Sequence, residues 1–409
     1  MKQATFIARR LAALGLAIAA LGSAAPAQAQ TATFDEVLAA ALVSHPLMLG
    51  RRAAREGALA DREAAEWARY PTPSVEATSR NVNGSRGVAR LEQPLYAGGR
   101  IDAGIAAAGH RLEGAGAAVD ETGMELRLRV IAACVEVLRH KARLKHAGAA
   151  VAEHERLLEM IKRRVQQEVS SQIDQRLAES RLAQAVNDRS AIEQSLRNAL
   201  AQLSQLAGKP VTDLGAAGLS DEHAPPSQDM ALQQALDHSP VMKRLAAEEA
   251  AAGADIDVRR AAMLPQLALR LEQTSAPLSE RRAMLVLQAQ PGAGLAARSA
   301  VQSAISRRDA IRMQREAAQR DIAERISIDW SELLAARERS STAEQARLAS
   351  TDVFESYTRQ YVIGRKSWLD VLNAVREAVQ AELALEDARA QAVSASLRLR
   401  AQTGTLNRQ

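Results

Sequence analysis

Apolar residues recur every seven positions through the middle of the chain and mark one side of a long helix. The positions are Val130, Val137, Leu144, Val151, Leu158 and Val165. Six apolar residues at this spacing predict a coiled-coil seam. The helical pattern starts after Gly98-Gly99-Arg100 and runs to about Val165. At about 1.5 Å per residue, this predicts a helix on the order of 100 Å long.

A short break separates this long helix from a returning one. The helical pattern resumes over residues 173–207 and stops at Gly208-Lys209-Pro210. Within the break, Ser171 is a predicted N-cap and Asp174 follows it in the first helical turn. Residues 165–174 therefore predict the tip of an antiparallel helical hairpin.

A second tip is predicted near the end of the chain, over residues 361–370. One helical run ends at Gly364, and another starts at Ser367, a predicted N-cap. Asp370 then lies in the first turn, where the helix dipole favours negative charge. The two tips match at an offset of 196 positions, which relates Ser171 to Ser367 and Asp174 to Asp370.

Other landmarks repeat at nearly the same offset, between 194 and 197 residues. His45-Pro46 is echoed by Ser239-Pro240, Tyr70-Pro71 by Leu264-Pro265, Gln93-Pro94 by Gln290-Pro291, and Gly208 by Gly404. The sequence therefore predicts a duplicated chain. We expect a first structural repeat over residues 30–210, a linker over 211–228, and a second repeat over 229–409.

Each repeat also contains a predicted β-hairpin before its long helix. Residues 34–67 predict a helix that leads into the first hairpin, residues 74–93, with strands 74–82 and 85–93 around Asn83-Gly84. The second hairpin, residues 266–290, has predicted strands 266–274 and 282–290. Each strand has nine residues, which is about the minimum for a tilted strand that crosses a membrane.

The N-terminal 29 residues predict a signal peptide. Three basic residues, Lys2, Arg9 and Arg10, precede an apolar run over 11–21 that is too short to span a bilayer as a mature helix. Ala27-Gln28-Ala29 is a small-residue cleavage site. Removal of this segment lowers the formal net charge from +5 to +2, so the mature chain is close to neutral.

Composition excludes several classes of function. Basic and acidic residues alternate along the chain, a pattern typical of solvated helices and not of a nucleic-acid surface. Cys134 is the single cysteine, which excludes a disulfide framework. His140, His146 and His154 lack the spacing of a metal site. No nucleophile elbow or phosphate-binding loop is present, so we expect neither an enzyme nor a cofactor.

Four strands in one chain cannot close a sheet without leaving free edges, and free edges are not tolerated in lipid. Three chains would supply twelve strands and could close one. The pattern therefore offers a physical route to a trimeric conduit, in which the long helices continue the tube on one side of the membrane.

Taken together, these features resemble the TolC family of outer-membrane channel-tunnel proteins over essentially the whole mature sequence. The matching pieces are the two Pro-bounded hairpins, the segment Gln93-Pro94-Leu95-Tyr96-Ala97-Gly98-Gly99-Arg100, the duplicated halves, and the tip motif that ends Leu369-Asp370-Val371-Leu372-Asn373-Ala374. Within the first segment, Pro94, Gly98, Gly99 and Arg100 are expected to form a strand-to-helix turn.

The resemblance implies a mainly α fold with a small β part, located in the cell outer membrane with a long periplasmic extension. The duplicated long helices would build a coiled-coil α-barrel, and the hairpins of three chains would build a transmembrane β-barrel in contact with outer-membrane lipid. The implied partners are two further copies of the chain, a periplasmic membrane-fusion adaptor, and an inner-membrane ABC transporter or RND pump. Nucleic acid is not an expected partner.

The resemblance also implies a periplasmic constriction at the helical tips. Asp370 matches an aspartate that forms a ring at the constriction and governs the passage of cations. Asn373 stands where a second aspartate often lies, so the ring would carry half the charge.

Links between the tips are implied as well. Tyr361 matches a linking tyrosine, and Asp174 matches its partner in the first half. Lys366 takes the place of a linking arginine, with Arg365 adjacent, but a lysine cannot offer the bidentate fork of an arginine. Three further tip residues, assigned to packing or to adaptor contact, are Gly364, Ser367 and Trp368.

The string from Gly364 to Glu377 is similar to the branch of the family that serves type I secretion of large adhesins, so protein export is the favoured reading. Two alternatives remain open. The first is the exit duct of a drug or small-molecule efflux pump. The second is a periplasmic coiled-coil scaffold or adaptor that carries the hairpins as surface decorations.

Overall fold

The computed structural model describes residues 31–80, 84–221, 223–275, 279–289 and 296–406, with side chains outside 78–86. The predicted signal peptide lies outside these residues, as do Asn83 in the first hairpin turn and Gln290-Pro291 after the second hairpin.

The described residues form long helices and one small sheet, and this confirms the predicted mainly α fold. The elements of the first half are α1 (Phe34–Ser44), α2 (Pro46–Trp67), β1 (Thr72–Arg80), β2 (Gly84–Tyr96), α3 (Arg100–Gln166) and α4 (Gln172–Ala207). Those of the second half are α5 (Gln228–His238), α6 (Pro240–Ala261), β3 (Gln266–Ser275), β4 (Glu280–Gln288), α7 (Ala296–Val362) and α8 (Trp368–Gln402).

Corresponding helices of the two halves have nearly equal lengths. Helices α3 and α7 each have 67 residues, α2 and α6 each have 22, and α1 and α5 each have 11. The returning helices α4 and α8 have 36 and 35 residues. The order of elements is the same in both halves.

The prediction of one continuous helix over residues 34–67 is wrong, because the helix breaks at His45. Pro46 lacks a backbone N–H, and its ring disfavours the helical conformation of the residue before it. His45 is accordingly extended, with φ −65° and ψ 132°. It starts α2 as an N-cap, since its Nδ1 accepts from the Leu47 N–H at 3.3 Å. Ser239 and Pro240 repeat the arrangement between α5 and α6.

Helix α3 is the element against which most others pack. It contacts α4, its antiparallel partner, and also α2, α6 and α8, while α7 packs on α8 and α6. Of the six heptad residues on α3, Val130, Val137, Val151 and Leu158 are buried, and Leu144 and Val165 are partly buried. The apolar seam thus lies where the sequence predicts it.

One apolar core, called the upper core because it lies on the sheet side of the hairpin tips, joins three parts of the chain. These are α1, the middle of α3, and the last turns of α4 and α8. Its fully buried members include Val37, Leu203 and Leu397. Cys134 lies in the same core, and burial raises the pKa of its thiol to about 12. The thiol therefore stays protonated and unreactive at neutral pH.

The sheet is antiparallel in the order β1-β2-β3-β4, so β2 and β3 join the two predicted hairpins.

The second strand is longer than predicted. It continues through Pro94 to Tyr96, with a β-bulge between these two residues. A bulge accommodates a proline because the ladder hydrogen bond is already interrupted there. Pro94 therefore lies in β2 and not in the strand-to-helix turn, as the sequence had suggested.

A partly buried ion pair ties the last turns of α8 to the middle of α7. Arg398 Nε donates to Asp329 Oδ1 at 2.9 Å, and Gln402 Nε2 donates to Asp329 Oδ2 at 2.7 Å. Asp329 is only 9% exposed. A buried carboxylate needs such partners, because its desolvation is otherwise uncompensated.

We expect Asp329→Ala to lower the free energy of unfolding by about 2 kcal/mol, since Arg398 keeps only its ion pair with Glu332 and the Gln402 amide loses its acceptor. Denaturant unfolding in detergent measures this change. The matched control is Glu355→Ala on the same helix, where the pair with Arg359 is 61–71% exposed and is worth at most about 0.5 kcal/mol. Equal losses in both variants would contradict the prediction.

Candidate functional site: the tips of the helical hairpins

Both tips are built on the same N-cap. Ser171 caps α4 and Ser367 caps α8, and each accepts a hydrogen bond from the backbone N–H three residues on. The aspartate at that third position returns the bond. Asp370 Oδ2 accepts from the Ser367 N–H at 3.0 Å and from the Ser367 hydroxyl at 2.8 Å. Asp174 makes the same contacts with Ser171 at 3.2 and 2.9 Å.

This cap also fixes the charge of Asp370. The hydroxyl of Ser367 is the main cause that holds the pKa of Asp370 below its usual value, followed by the Ser367 backbone N–H and the nearby charge of Lys366. Asp370 is therefore an anion at neutral pH. Asn373 lies one helical turn further along α8 and is partly buried. The Asp370 carboxylate is therefore closer than Asn373 to the turn that ends the hairpin.

An aromatic cluster lies between the two tips. Tyr361 and Trp368 are 6% and 4% exposed, with ring centroids 5.2 Å apart. The Arg164 guanidinium lies 4.8 Å from the Tyr361 ring centroid, a cation–π distance. Buried apolar side chains complete the cluster; they are Leu157, Leu158, Ile161, Ala178, Val371, Leu372 and Val375.

Two hydrogen bonds cross from one tip to the other. The Tyr361 hydroxyl lies 3.3 Å from Ser170 Oγ, and Trp368 Nε1–H donates to the backbone carbonyl of Asp174 at 3.1 Å. Within the described chain the Tyr361 hydroxyl therefore meets Ser170, whereas the family resemblance implies Asp174 as its partner.

The basic tip residues Lys366 and Arg365 do not link the two tips within the described chain. Lys366 Nζ lies 4.1 Å from the centroid of the Tyr357 ring, on the helix that precedes the tip. Arg365 is exposed. Within the described part of the chain, neither residue forms a salt bridge with a carboxylate of the first tip.

The two turns reach the left-handed backbone region with different residues. Gly364 has φ +76°, and no neighbouring atom lies where a Cβ would be added. The position 196 residues earlier is Glu168, which adopts φ +60° and is the one non-glycine residue with positive φ among those described. A residue with a Cβ is strained in this region, so the first tip is locally strained where the second is not.

The strand-to-helix turn depends on two glycines with positive φ, Gly98 and Gly99, and Arg100 then begins α3. A Cβ on Gly98 would lie 2.9 Å from Leu264 Cβ, in the turn between α6 and β3. The turn therefore packs the two halves of the chain together at the base of the sheet.

The sheet presents two different faces. One face carries ion pairs across the strands: Arg90 with Glu76 at 2.8 Å and with Glu272 at 3.2 Å, and Arg270 with Glu92 at 2.8 Å. The other face is apolar and exposed. Its exposed residues include Val75, Leu91, Leu271, Leu285 and Leu287, between 39% and 82% accessible. An uncovered apolar face of this kind marks an interaction surface.

Sequence reasoning found the caps and Trp368 but missed Arg164, Ser170 and Glu168. The offset of 196 residues between Glu168 and Gly364 could have identified the strained turn. No comparable signal exists for Arg164 and Ser170, because their contacts depend on how the two hairpins pack.

The described residues contain no cluster of three or more His, Cys, Asp and Glu side chains that could hold a metal ion. None of the helices described is both long and apolar enough to cross a membrane.

The two turns allow a matched test of backbone strain. We expect Glu168→Gly to raise the free energy of unfolding by about 1 kcal/mol, because glycine adopts positive φ without a Cβ clash. Gly364→Ala should lower it by about the same amount. Denaturant unfolding of both variants measures the difference, and a loss of stability in Glu168→Gly would show that the glutamate side chain itself stabilises the tip.

His154 on α3 predicts a pH dependence. Burial is the main cause that lowers its pKa below 6.5, with a smaller contribution from Arg181. Protonation therefore favours the unfolded chain, and stability falls as the pH drops below about 6.5. We expect His154→Gln to reduce this fall between pH 6.5 and 5. His140 and His238, whose pKa values are also lowered by burial, would retain part of it; an unchanged slope would contradict the prediction.

Comparison with known structures finds the same fold in bacterial outer-membrane channels. CusC, described for its folding and transmembrane channel formation, superposes with a TM-score of 0.81 at 16% identity over 90% of this chain and 91% of CusC. The outer membrane protein VceC of Vibrio cholerae gives 0.77 at 18% identity, over 91% of this chain and 96% of VceC. The open state of the Neisseria gonorrhoeae MtrE outer membrane channel gives 0.72 at 17%, over 92% and 90%.

These TM-scores establish a shared fold. No curated protein sequence matches the chain. The sequence profile described as "outer membrane efflux protein" matches it twice, over residues 37–209 and 231–405. The two matches together cover most of both halves, and proteins of this family are channels and not enzymes. The chain therefore belongs to the outer membrane efflux protein family.

Proposed function

We propose that this protein is the outer-membrane exit channel of a tripartite export system. The observation that carries the proposal is the four-stranded sheet, with one face apolar and uncovered and the other crossed by ion pairs. Such a sheet suits lipid on one side and water on the other. It stands at the end of helices that are about 100 Å long, in a chain of the outer membrane efflux protein family.

The working unit is a homotrimer. In one chain, β1 and β4 are the edges of the sheet, and unpaired strand edges in lipid leave backbone polar groups unsatisfied. Pairing of β1 with β4 of a neighbouring copy satisfies both edges. Three copies then surround one conduit, with the apolar faces toward outer-membrane lipid.

The hairpin tips form the periplasmic end of this conduit. Asp370 supplies one carboxylate per chain to a constriction, with Asn373 one turn behind it, and a ring of such charges attracts cations. The tips also expose apolar side chains, namely Val169, Ile173, Val362, Ile363 and Leu369. These side chains, together with Gly364 and Ser367, suit contact with a periplasmic membrane-fusion adaptor that connects the channel to an inner-membrane transporter.

The cargo we favour is protein, exported by a type I system with an ABC transporter. The support is the tip string from Gly364 to Glu377, which is similar to the branch that serves the secretion of large adhesins. Export of drugs or other small molecules with an RND pump is the second candidate, and the match to the family described as "outer membrane efflux protein" is compatible with it.

The first experiment is membrane fractionation of the protein, followed by mass determination in detergent. We expect the protein in the outer membrane with a mass of three chains, because the edge strands need neighbours. A monomer in the soluble periplasmic fraction would refute the channel and favour the remaining alternative, a coiled-coil scaffold or adaptor.

Reconstitution in planar bilayers tests the constriction. We expect Asp370→Ala to weaken the block of the channel by divalent or trivalent cations at least several-fold, because the ring loses its charge. Glu355→Ala, which removes an exposed carboxylate from the preceding helix, is the control and should be blocked like the wild type. Unchanged block in Asp370→Ala would place Asp370 outside the pore.

Deletion of the gene tests the cargo. Loss of a large protein from the culture medium, with unchanged resistance to small toxic compounds, is the result expected for type I secretion. Unchanged secreted proteins with increased drug sensitivity would assign the channel to efflux instead. Complementation with the intact chain controls for effects on neighbouring genes.

A further inference from the structure

We propose that Trp368 is the positioning residue that holds the two hairpin tips of one chain together, and that its indole N–H, not an aspartate carboxylate, makes the decisive link. The inference rests on the proposed channel function where it concerns gating. It assigns to Trp368 a role in keeping the periplasmic end closed.

The carboxylates of both tips are already engaged within their own hairpins. Asp174 accepts from the backbone and hydroxyl of Ser171, and Asp370 accepts from those of Ser367. Each carboxylate completes an N-cap that its own helix needs. Neither side chain is therefore the group that bridges from the first tip to the second.

Trp368 makes the bridge instead. It is the first residue of α8, is 4% exposed, and donates from Nε1–H to the Asp174 carbonyl in the first turn of α4 at 3.1 Å. That carbonyl also accepts the N–H four residues on in α4, as helix geometry requires, and its second lone pair takes the indole. The link therefore costs α4 none of its own hydrogen bonds.

The indole is also the centre of the packing between the tips. Its ring lies against Tyr361, and Tyr361 lies beneath Arg164 of the first hairpin. Separation of the tips would break the Nε1–H bond and expose the indole together with the apolar cluster of α3 and α8. Closure thus combines one directed hydrogen bond with the burial of a large aromatic ring.

Other polar contacts between the hairpins lie well away from the tips. Arg143 Nη1 bonds Asp387 at 2.7 Å, and His146 Nδ1 lies 3.4 Å from Glu382. His146 is twenty residues before the end of α3, which is about 30 Å along the helix. Among the described residues, the Trp368–Asp174 and Tyr361–Ser170 bonds are the two that join the tips themselves. The hydroxyl pair is the longer of the two, at 3.3 Å.

The test compares three conservative variants in planar bilayers. Trp368→Phe removes the N–H but keeps an aromatic ring, Asp174→Asn changes the carboxylate but keeps the backbone carbonyl, and Tyr361→Phe removes the hydroxyl. We expect mean conductance to rise at least two-fold in Trp368→Phe, to stay at the wild-type level in Asp174→Asn, and to rise less in Tyr361→Phe.

Two outcomes of this comparison would overturn the proposal. The first is wild-type conductance in Trp368→Phe. The second is a larger rise in Asp174→Asn than in Trp368→Phe, which would return the link to the carboxylate. A thermal midpoint close to that of the wild type in Trp368→Phe separates opening of the tips from general loss of folding.

Hydrogen exchange on the same purified proteins tests the link without relying on conductance. We expect Trp368→Phe to accelerate exchange at least ten-fold in the first turns of α4 and α8, and to leave the middle of α3 unchanged. Equal exchange in variant and wild type would refute the link even if the channel conducts. Accelerated exchange in a protein that forms no channels would keep the link and refute the proposed function.

Discussion

The rest of the structure depends on one constraint: the very long helix α3 must bury one of its sides. Helix α3 extends about 100 Å, and a helix of this length gains its stability mainly from packing of its apolar side. The buried side of α3 combines Val130, Val137 and Leu158 with small residues such as Ala133 and Ala147. Small side chains let neighbouring helices approach closely, so α2, α4, α6 and α8 can share one central helix.

The same constraint explains the paired architecture. A single hairpin of α3 and α4 leaves much of α3 uncovered, and α8 of the second half covers part of it. The halves then meet in an upper core, in a charged middle region around Arg143 and Asp387, and in an aromatic cluster at the tips. Contacts of three different kinds along one interface keep two long hairpins in a single register.

The two tips share their N-caps but differ in their turns and in their aromatic residues. Their N-caps are copies, with a serine and an aspartate at equivalent positions. Their turns and aromatic residues are not copies, since Glu168 stands opposite Gly364, and Ile173 with Gln172 stands where the second tip has Leu369 and Trp368. A duplicated cap holds each helix start in the same way. The aromatic residues between the tips come from the second half, and aliphatic side chains of both hairpins complete the cluster.

The sequence by itself determined the elements and their repetition, because helix periodicity, N-caps, prolines and glycines act over a few residues. It predicted the bounds of α3 and α4 to within a residue or so, the two hairpins, and the cap residues of both tips. It erred at His45 and Pro94, where a proline breaks a helix in one place and is accommodated by a bulge in the other. Only the tertiary structure decided which groups meet: the Tyr361 hydroxyl lies against Ser170, and the Trp368 indole bonds the carbonyl of Asp174. These partners are about 190 residues apart, and the packing of one hairpin on the other sets their distances.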